Sequence, residues 1–351
     1  MSRDVGFFAG KNGNIMTHPT DAPCDGAMKN GTAAMTEAVE QSAFSGLEHI
    51  LRDAREMERA VEWPTVALLA GVYGAFVLTT LSLSTISLAL ATLLLVPLVA
   101  LHSSLTHEAV HGHPTRSARL NAALLFPCLI IAIPYLRFKD QHLAHHVDSV
   151  LTDPYDDPES NFHDPAVWAR LPRWFRAVLS FNNTLLGRLI VGPAVALASF
   201  LRDDWRAIRS GDAGVLRGWL WHGPAAGLVL AWVAWTPMPI WAYLVACYGA
   251  MSVLKIRTFL EHRAHERASG RTVVIEDRGI LAFLFLNNNL HVVHHMHPRV
   301  AWYRLWDVYE ADPEKYLRRN DGYRYGSYGE IFRKYFLRAK DPVPHPLWEK
   351  R

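Results

Sequence analysis

The residues best equipped for chemistry in this chain are histidines, and they come in sets. His107-Glu108-Ala109-Val110-His111 is followed by His142-Leu143-Ala144-His145-His146 and, far along the chain, by His291-Val292-Val293-His294-His295. On a helix, positions i, i+3 and i+4 share a face, so each set presents its imidazoles on one side. Neutral imidazole is the commonest metal ligand in proteins and suits iron, zinc and copper. His107, His111, His142, His145, His146, His291, His294 and His295 are too many donors for one ion, and two metals sharing them is the natural count. A fourth segment, Glu261-His262-Arg263-Ala264-His265, adds two imidazoles. One His pair at helical spacing is usually an accident of surface or core. Accident does not explain three such sets, and imidazoles crowded together without a metal repel one another when protonated.

Membrane-crossing helices are the elements that must position these sets. Half of the 351 residues are hydrophobic and only 20% are charged, which is apolar for a soluble enzyme. From Trp63 to His107 no Asp, Glu, Lys or Arg occurs. A bilayer core takes about 20 apolar residues per helix, so this run is two spans, near 65–83 and 86–106, turning around Leu81-Ser82-Leu83-Ser84-Thr85. The second span runs straight into His107. Leu120–Leu136 is apolar but short, and Pro127 and Pro134 interrupt it. It reads as a re-entrant or interfacial turn that returns the chain to deliver His142, His145 and His146. Gly218–Leu254 is again uncharged, with Pro237-Met238-Pro239 at its turn. This is a second hairpin, with spans near 218–236 and 239–260, running into Glu261-His262. The expected architecture is therefore an all-α integral membrane protein of two helical hairpins, four spans in all, with a His-bearing cap on one side.

Residues 1–34 lack a periodic pattern and a continuous apolar h-region, and read as a mobile tail without a cleavable signal. Residues 35–62 look helical until Pro64. The main domain is expected over 35–340, with a C-terminal tail at 341–351. Thr152-Asp153-Pro154-Tyr155-Asp156-Asp157-Pro158-Glu159 is a turn-rich acidic loop that secondarily offers a carboxylate to back an imidazole. Residues 168–209 mix Trp, Phe and Leu with Arg, as helices lying at a membrane interface do. A net charge of +3 gives no case for nucleic acid. Cys24, Cys128 and Cys247 are too scattered for a disulfide framework, which fits a reducing compartment. Both far-side turns lack Lys and Arg, so the positive-inside rule puts the His side and both termini in the cytoplasm.

At the three His boxes the chain resembles the integral-membrane fatty acid desaturase and hydroxylase superfamily, over roughly residues 60–340. Within it, Arg257-Thr258-Phe259-Leu260-Glu261-His262-Arg263 and Asn287-Asn288-Asn289-Leu290-His291 are most similar to bacterial desaturase-like proteins, which implies an inner-membrane location. The resemblance implies a non-haem di-iron centre, dioxygen as co-substrate, a lipid or acyl substrate, and electrons from a separate ferredoxin- or rubredoxin-like protein. Its implied ligands are His107, His111, His142, His145, His146, His291, His294 and His295. The ninth is His262, because Glu-His after a membrane helix resembles the position used by membrane alkane hydroxylases; His265 competes for the role. Glu108, Asp148 and Glu261 are candidates to balance the cationic centre or orient its imidazoles, and His113, Asn289 and His297 to flank it.

The expected activity is insertion of a double bond into a fatty acyl chain. Alternatives stay open at this point. A hydroxylase or ketolase of the same superfamily would act on an alkane, carotenoid or other lipid. His107-Glu108-x-x-His111 also matches the zinc-protease pattern, with Glu108 as base, but that reading leaves the other two boxes without work. A membrane metal transporter would place its site near the midplane rather than at one face.

Overall fold

The computed structural model describes Glu48 and residues 61–348, all within a compact unit spanning Ser45–Arg351. The expected N-terminal tail, nearly all of the expected helix over 35–62, and Cys24 lie outside the described residues. Helix α1 (Trp63–Leu78) begins with Pro64 in its first turn, where a missing N–H costs nothing. It runs on through a π-helical stretch, Thr79–Leu83, and a last turn, Ser84–Ile86. The reversal expected at Leu81–Thr85 falls instead at Ser87. The hydroxyls of Thr80, Ser84 and Thr85 donate back to the carbonyls of Phe76, Thr80 and Ser82, so the polar residues stay inside the helix. Ser87 is extended, and its side chain accepts from Leu90 N to cap α2 (Leu88–Val110).

The apolar segment after α2, expected as a re-entrant or interfacial turn, reverses the chain between two helices. α3 (Ala118–Leu124) gives way to irregular backbone before α4 (Tyr135–His145). Neighbouring helices satisfy its carbonyls: Tyr73 donates to Leu124 O at 2.7 Å, Tyr243 donates to Leu129 O, and His222 Nε2 lies 2.8 Å from Ile131 O. This is the condition under which non-helical backbone survives at membrane depth.

Short helices α5 (Pro165–Arg170), α6 (Arg173–Asn182) and α7 (Leu185–Ile190) lead to α8 (Gly192–Arg209). Arg137 of α4 binds Asp204 of α8 through two hydrogen bonds of 2.9 Å, and Trp219 donates to the same carboxylate at 2.8 Å. That part-buried pair clamps the helix carrying the second His box.

α9 (Ala213–Trp235) and α10 (Ile240–Thr258) form the second hairpin. Trp63–Ile86, Leu88–Val110 and Ile240–Thr258 are long and apolar enough to cross a bilayer; among the described residues α9 is not in that group. It is 23 residues long but carries Arg217, His222 and four Trp, which lower its hydropathy rather than its length. α2 and α10 pack closely, with Ala91, Leu95, Val99, Ala246 and Ala250 wholly buried.

A cap completes the described chain. Two short parallel strands, β1 (Val274–Ile275) and β2 (Arg324–Tyr325), join α11 (Ile280–Leu284), α12 (His291–Met296), α13 (Leu305–Ala311), α14 (Pro313–Arg319) and α15 (Tyr328–Tyr335). The segment expected as a C-terminal tail folds back as far as residue 348: His163 N donates to Val343 O at 3.0 Å and His345 N to His163 O at 2.9 Å.

Candidate metal centre

Four helix ends deliver the imidazoles. α2 carries His107, and His111 is its C-cap. α4 ends on His142 and His145, with His146 as C-cap. The chain leaving α10 presents His262, and α12 is itself the third box. Before α12 the backbone makes a tight turn, with φ of 51° at Leu286 and 57° at Asn287. Left-handed backbone is unfavourable for Leu. Asn287 holds the turn by donating to Trp302 O and accepting from Trp306 Nε1.

These ends converge as two adjoining clusters, each able to hold a metal ion. One comprises His107, His111, His142, His146 and His294; the other comprises His145, His262, His291 and His295; within each, the donor atoms lie within 4.8 Å of one another. Nε2 atoms face each other at 2.9 Å for His111 and His142, 3.0 Å for His146 and His142, 2.8 Å for His145 and His262, and 3.0 Å for His291 and His262. Imidazole nitrogens about 2.0–2.1 Å from one ion stand roughly 3 Å apart, so the spacing is that of ligands sharing a metal. The buried Nε2 atoms of His107 and His295 have no hydrogen-bond partner in the protein. The donor set therefore fits two ions. The rings of His146 and His295 stack at 4.2 Å and join the clusters.

Behind the rings, acceptors hold the Nδ1 side. His145 Nδ1 donates to Asp157 at 2.8 Å, His142 Nδ1 to Glu159 at 2.9 Å, and His291 Nδ1 to Asn288 at 3.2 Å. A proton held at Nδ1 leaves the Nε2 lone pair for a metal and fixes the ring's angle. Glu108 lies 3.4 Å from His107, Asp148 3.6 Å from His295 and Glu261 3.7 Å from His291, which are ion-pair distances.

Electrostatics favour neutral ligands. Burial and neighbouring imidazoles push His262, His291 and His294 well below the ordinary His range, and burial takes His295 down to about 4. His145 is the exception: burial opposes its protonation, but Glu159 and Asp157 hold it up at about 9. Those same carboxylates are the groups that would steady it as a ligand.

The other expected residues occupy different places. His265 faces away from both clusters, with Nε2 3.2 Å from Asp321 and its ring against Gly270. A Cβ on Gly270 would come 2.3 Å from His265 Nδ1, so that packing requires glycine. His113 pairs with buried Glu62, and His297 Nε2 lies 3.1 Å from Tyr316 Oη. Asn289 serves the fold by donating to Ile275 O and Asp277 O, and it is Asn288 that touches a box histidine. Sequence reading did not single out Asn288 or Glu62. It pointed to the acidic loop, but nothing there distinguished Asp157 and Glu159 from their neighbours.

Fold and site together define a helical, membrane-type protein with a histidine-built metal site at the helix ends. Residues 83–327 match the family model described as fatty acid desaturase. The chain belongs to that family, and the family implies an oxidoreductase with a lipid substrate. No curated protein matches the chain in a sequence comparison.

Proposed function

We propose that the protein is a membrane-bound di-iron oxidase that introduces a double bond into a fatty acyl chain. In this reading His107, His111, His142, His146 and His294 hold one iron, and His145, His262, His291 and His295 hold the other. The observation that carries it is the convergence of nine imidazoles as two adjoining clusters in a chain of the desaturase family.

An acyl methylene carries no acidic proton, so no side chain can start the reaction by acid–base chemistry. When bound, a reduced iron pair supplies what is missing, activation of dioxygen for removal of hydrogen from carbon. The chain's own residues hold and insulate that pair. Asp157, Glu159 and Asn288 keep His145, His142 and His291 oriented, and buried packing around the clusters excludes water. Glu108 is engaged by Trp302 N at 3.2 Å and by the His107 ring, which does not suit the free base of a zinc protease.

The reading places four spans in a bacterial inner membrane, with α9 as the fourth and the clusters and both termini cytoplasmic; the positive-inside distribution supports it. The Lys- and Arg-bearing His side suits an acidic ferredoxin- or rubredoxin-like electron donor.

Metal analysis and lipid profiling test the proposal. The purified protein should contain two irons per chain. Cells expressing it should gain lipid double bonds that disappear with His145→Ala. Oxygenated lipids instead would identify a hydroxylase or ketolase, and a single zinc would overturn the oxidase reading.

A further inference from the structure

His262 is held differently from the other imidazoles of its cluster. His145 and His291 have acceptors behind Nδ1, and Asp148 stands 3.6 Å from His295 Nδ1. His262 Nδ1 is buried and, among the described residues, has no hydrogen-bond partner. Its ring must therefore take its direction from the main chain. His262 bridges Thr272 in an antiparallel pair whose hydrogen bonds belong to the neighbouring residues. Arg263 N donates to Arg271 O at 3.0 Å and Val273 N to Glu261 O at 3.1 Å. The His262 carbonyl points the other way, and there it accepts from Lys340 Nζ.

Lys340 opens an extended strap near the chain end. Its side chain is 8% exposed and lies 3.1 Å from Asp341. Burial of an ammonium is costly even when it is paired, so stability alone is a poor account of it. Further on, Val343 and His345 face inward while Pro342 and Pro346 stay exposed, the alternation of an extended segment. His345 Nε2 lies 3.2 Å from Thr152 Oγ1. Thr152 has a φ of 69°, unfavourable for a β-branched residue, so its conformation must be held from outside. Its N–H donates to Asp157 Oδ2 at 2.8 Å, and the other oxygen of Asp157 backs His145. The two ends of the strap thus stand behind His262 and behind His145, whose Nε2 atoms face each other at 2.8 Å. Exposed Leu337, Arg338 and Ala339 join the strap to the cap.

We propose that residues 340–348 are a positioning strap for the second metal ion. Lys340 fixes the main chain of His262, and His345 steadies the loop behind His145, so this ion binds tightly only with the strap docked. The inference rests on the two-ion reading above. Coupling of this kind is reciprocal: an ion in the second cluster holds the strap down by the same factor.

Anaerobic titration of the metal-free, full-length protein in detergent with ferrous iron, against a competing chelator, tests this. The wild type should bind two ions. Lys340→Met should bind one ion as the wild type does and the other about tenfold more weakly, as for loss of a group that orients a ligand. Lys340→Arg keeps a donor for the His262 carbonyl and should restore the second affinity. Hydrogen exchange of the wild type gives a reading that needs no variant. The Lys340 and His345 amides are bonded to Asn183 O and His163 O, and saturating iron should slow their exchange about tenfold. Weakening of both ions alike, weakening of neither, or strap amides that exchange alike with and without iron would overturn the proposal. A wild type that binds a single ion would refute the two-ion reading, and the strap's role with it.

Discussion

At the scale of single residues, the centre depends on which atoms stand behind the imidazoles. Asp157 is the most committed: besides His145 it accepts from Thr152 N at 2.8 Å and Glu159 N at 2.9 Å, so it fixes the acidic loop and the ring together. Asp157→Asn keeps the shape but removes the charge that favours His145 as donor. Loss of such a backing group typically lowers metal affinity by about 10–100-fold. Competition with a chelator should show that loss for Asp157→Asn, whereas His265→Ala should retain metal as the wild type does. Equal loss in both variants would mean that the two-cluster assignment is wrong. Box spacing made eight of the imidazoles legible, and the family resemblance added His262 with His265 as its competitor. Spacing could not separate Asn288 from Asn289, because adjacent residues in an irregular turn point in directions that only the turn decides.

Among the elements, the contact between α2 and α10 sets the site. Each delivers its C-terminal end to the clusters, so their separation decides where His107 and His262 stand relative to each other. Gly249 permits that approach, since a Cβ there would come 2.8 Å from Val96 Cγ2. Gly249→Val should overpack the seam, cost about 1–3 kcal/mol, and lower the thermal midpoint and metal content together. An unchanged midpoint would remove α2–α10 spacing from the account. The reversal between α3 and α4 is the other deciding element. Tyr243 lies fifteen residues before Thr258, roughly 22 Å along α10 at 1.5 Å per residue, and it still reaches Leu129 O. The segment therefore packs far back along α10 from the end that bears the site. Its length and prolines announced a return to the same side. Its packing depends on Tyr73, His222 and Tyr243, polar atoms on other helices that no local pattern links to it.

For the whole molecule, the path of α9 relative to the bilayer sets the topology. It has the length of a span, and Trp235 and Trp241 flank its far turn at 72% and 63% exposed, as aromatic residues at a membrane edge do. With four spans, Pro237→Cys should react with an impermeant reagent only from the face opposite the clusters, and Ser210→Cys, ahead of α9, only from their face; both positions are exposed. Labelling of both from one side would leave α9 outside the bilayer and reduce the crossing to three helices.

The sequence by itself determined the family, the imidazoles and the two apolar hairpins, because metal ligation and lipid solvation both act through residue type at fixed helical spacing. Tertiary structure alone decided how the nine rings divide into two groups and which carboxylates steady them. Those outcomes depend on distances between segments that lie as far apart in the chain as His107 and His294, and backbone periodicity carries no information about such distances.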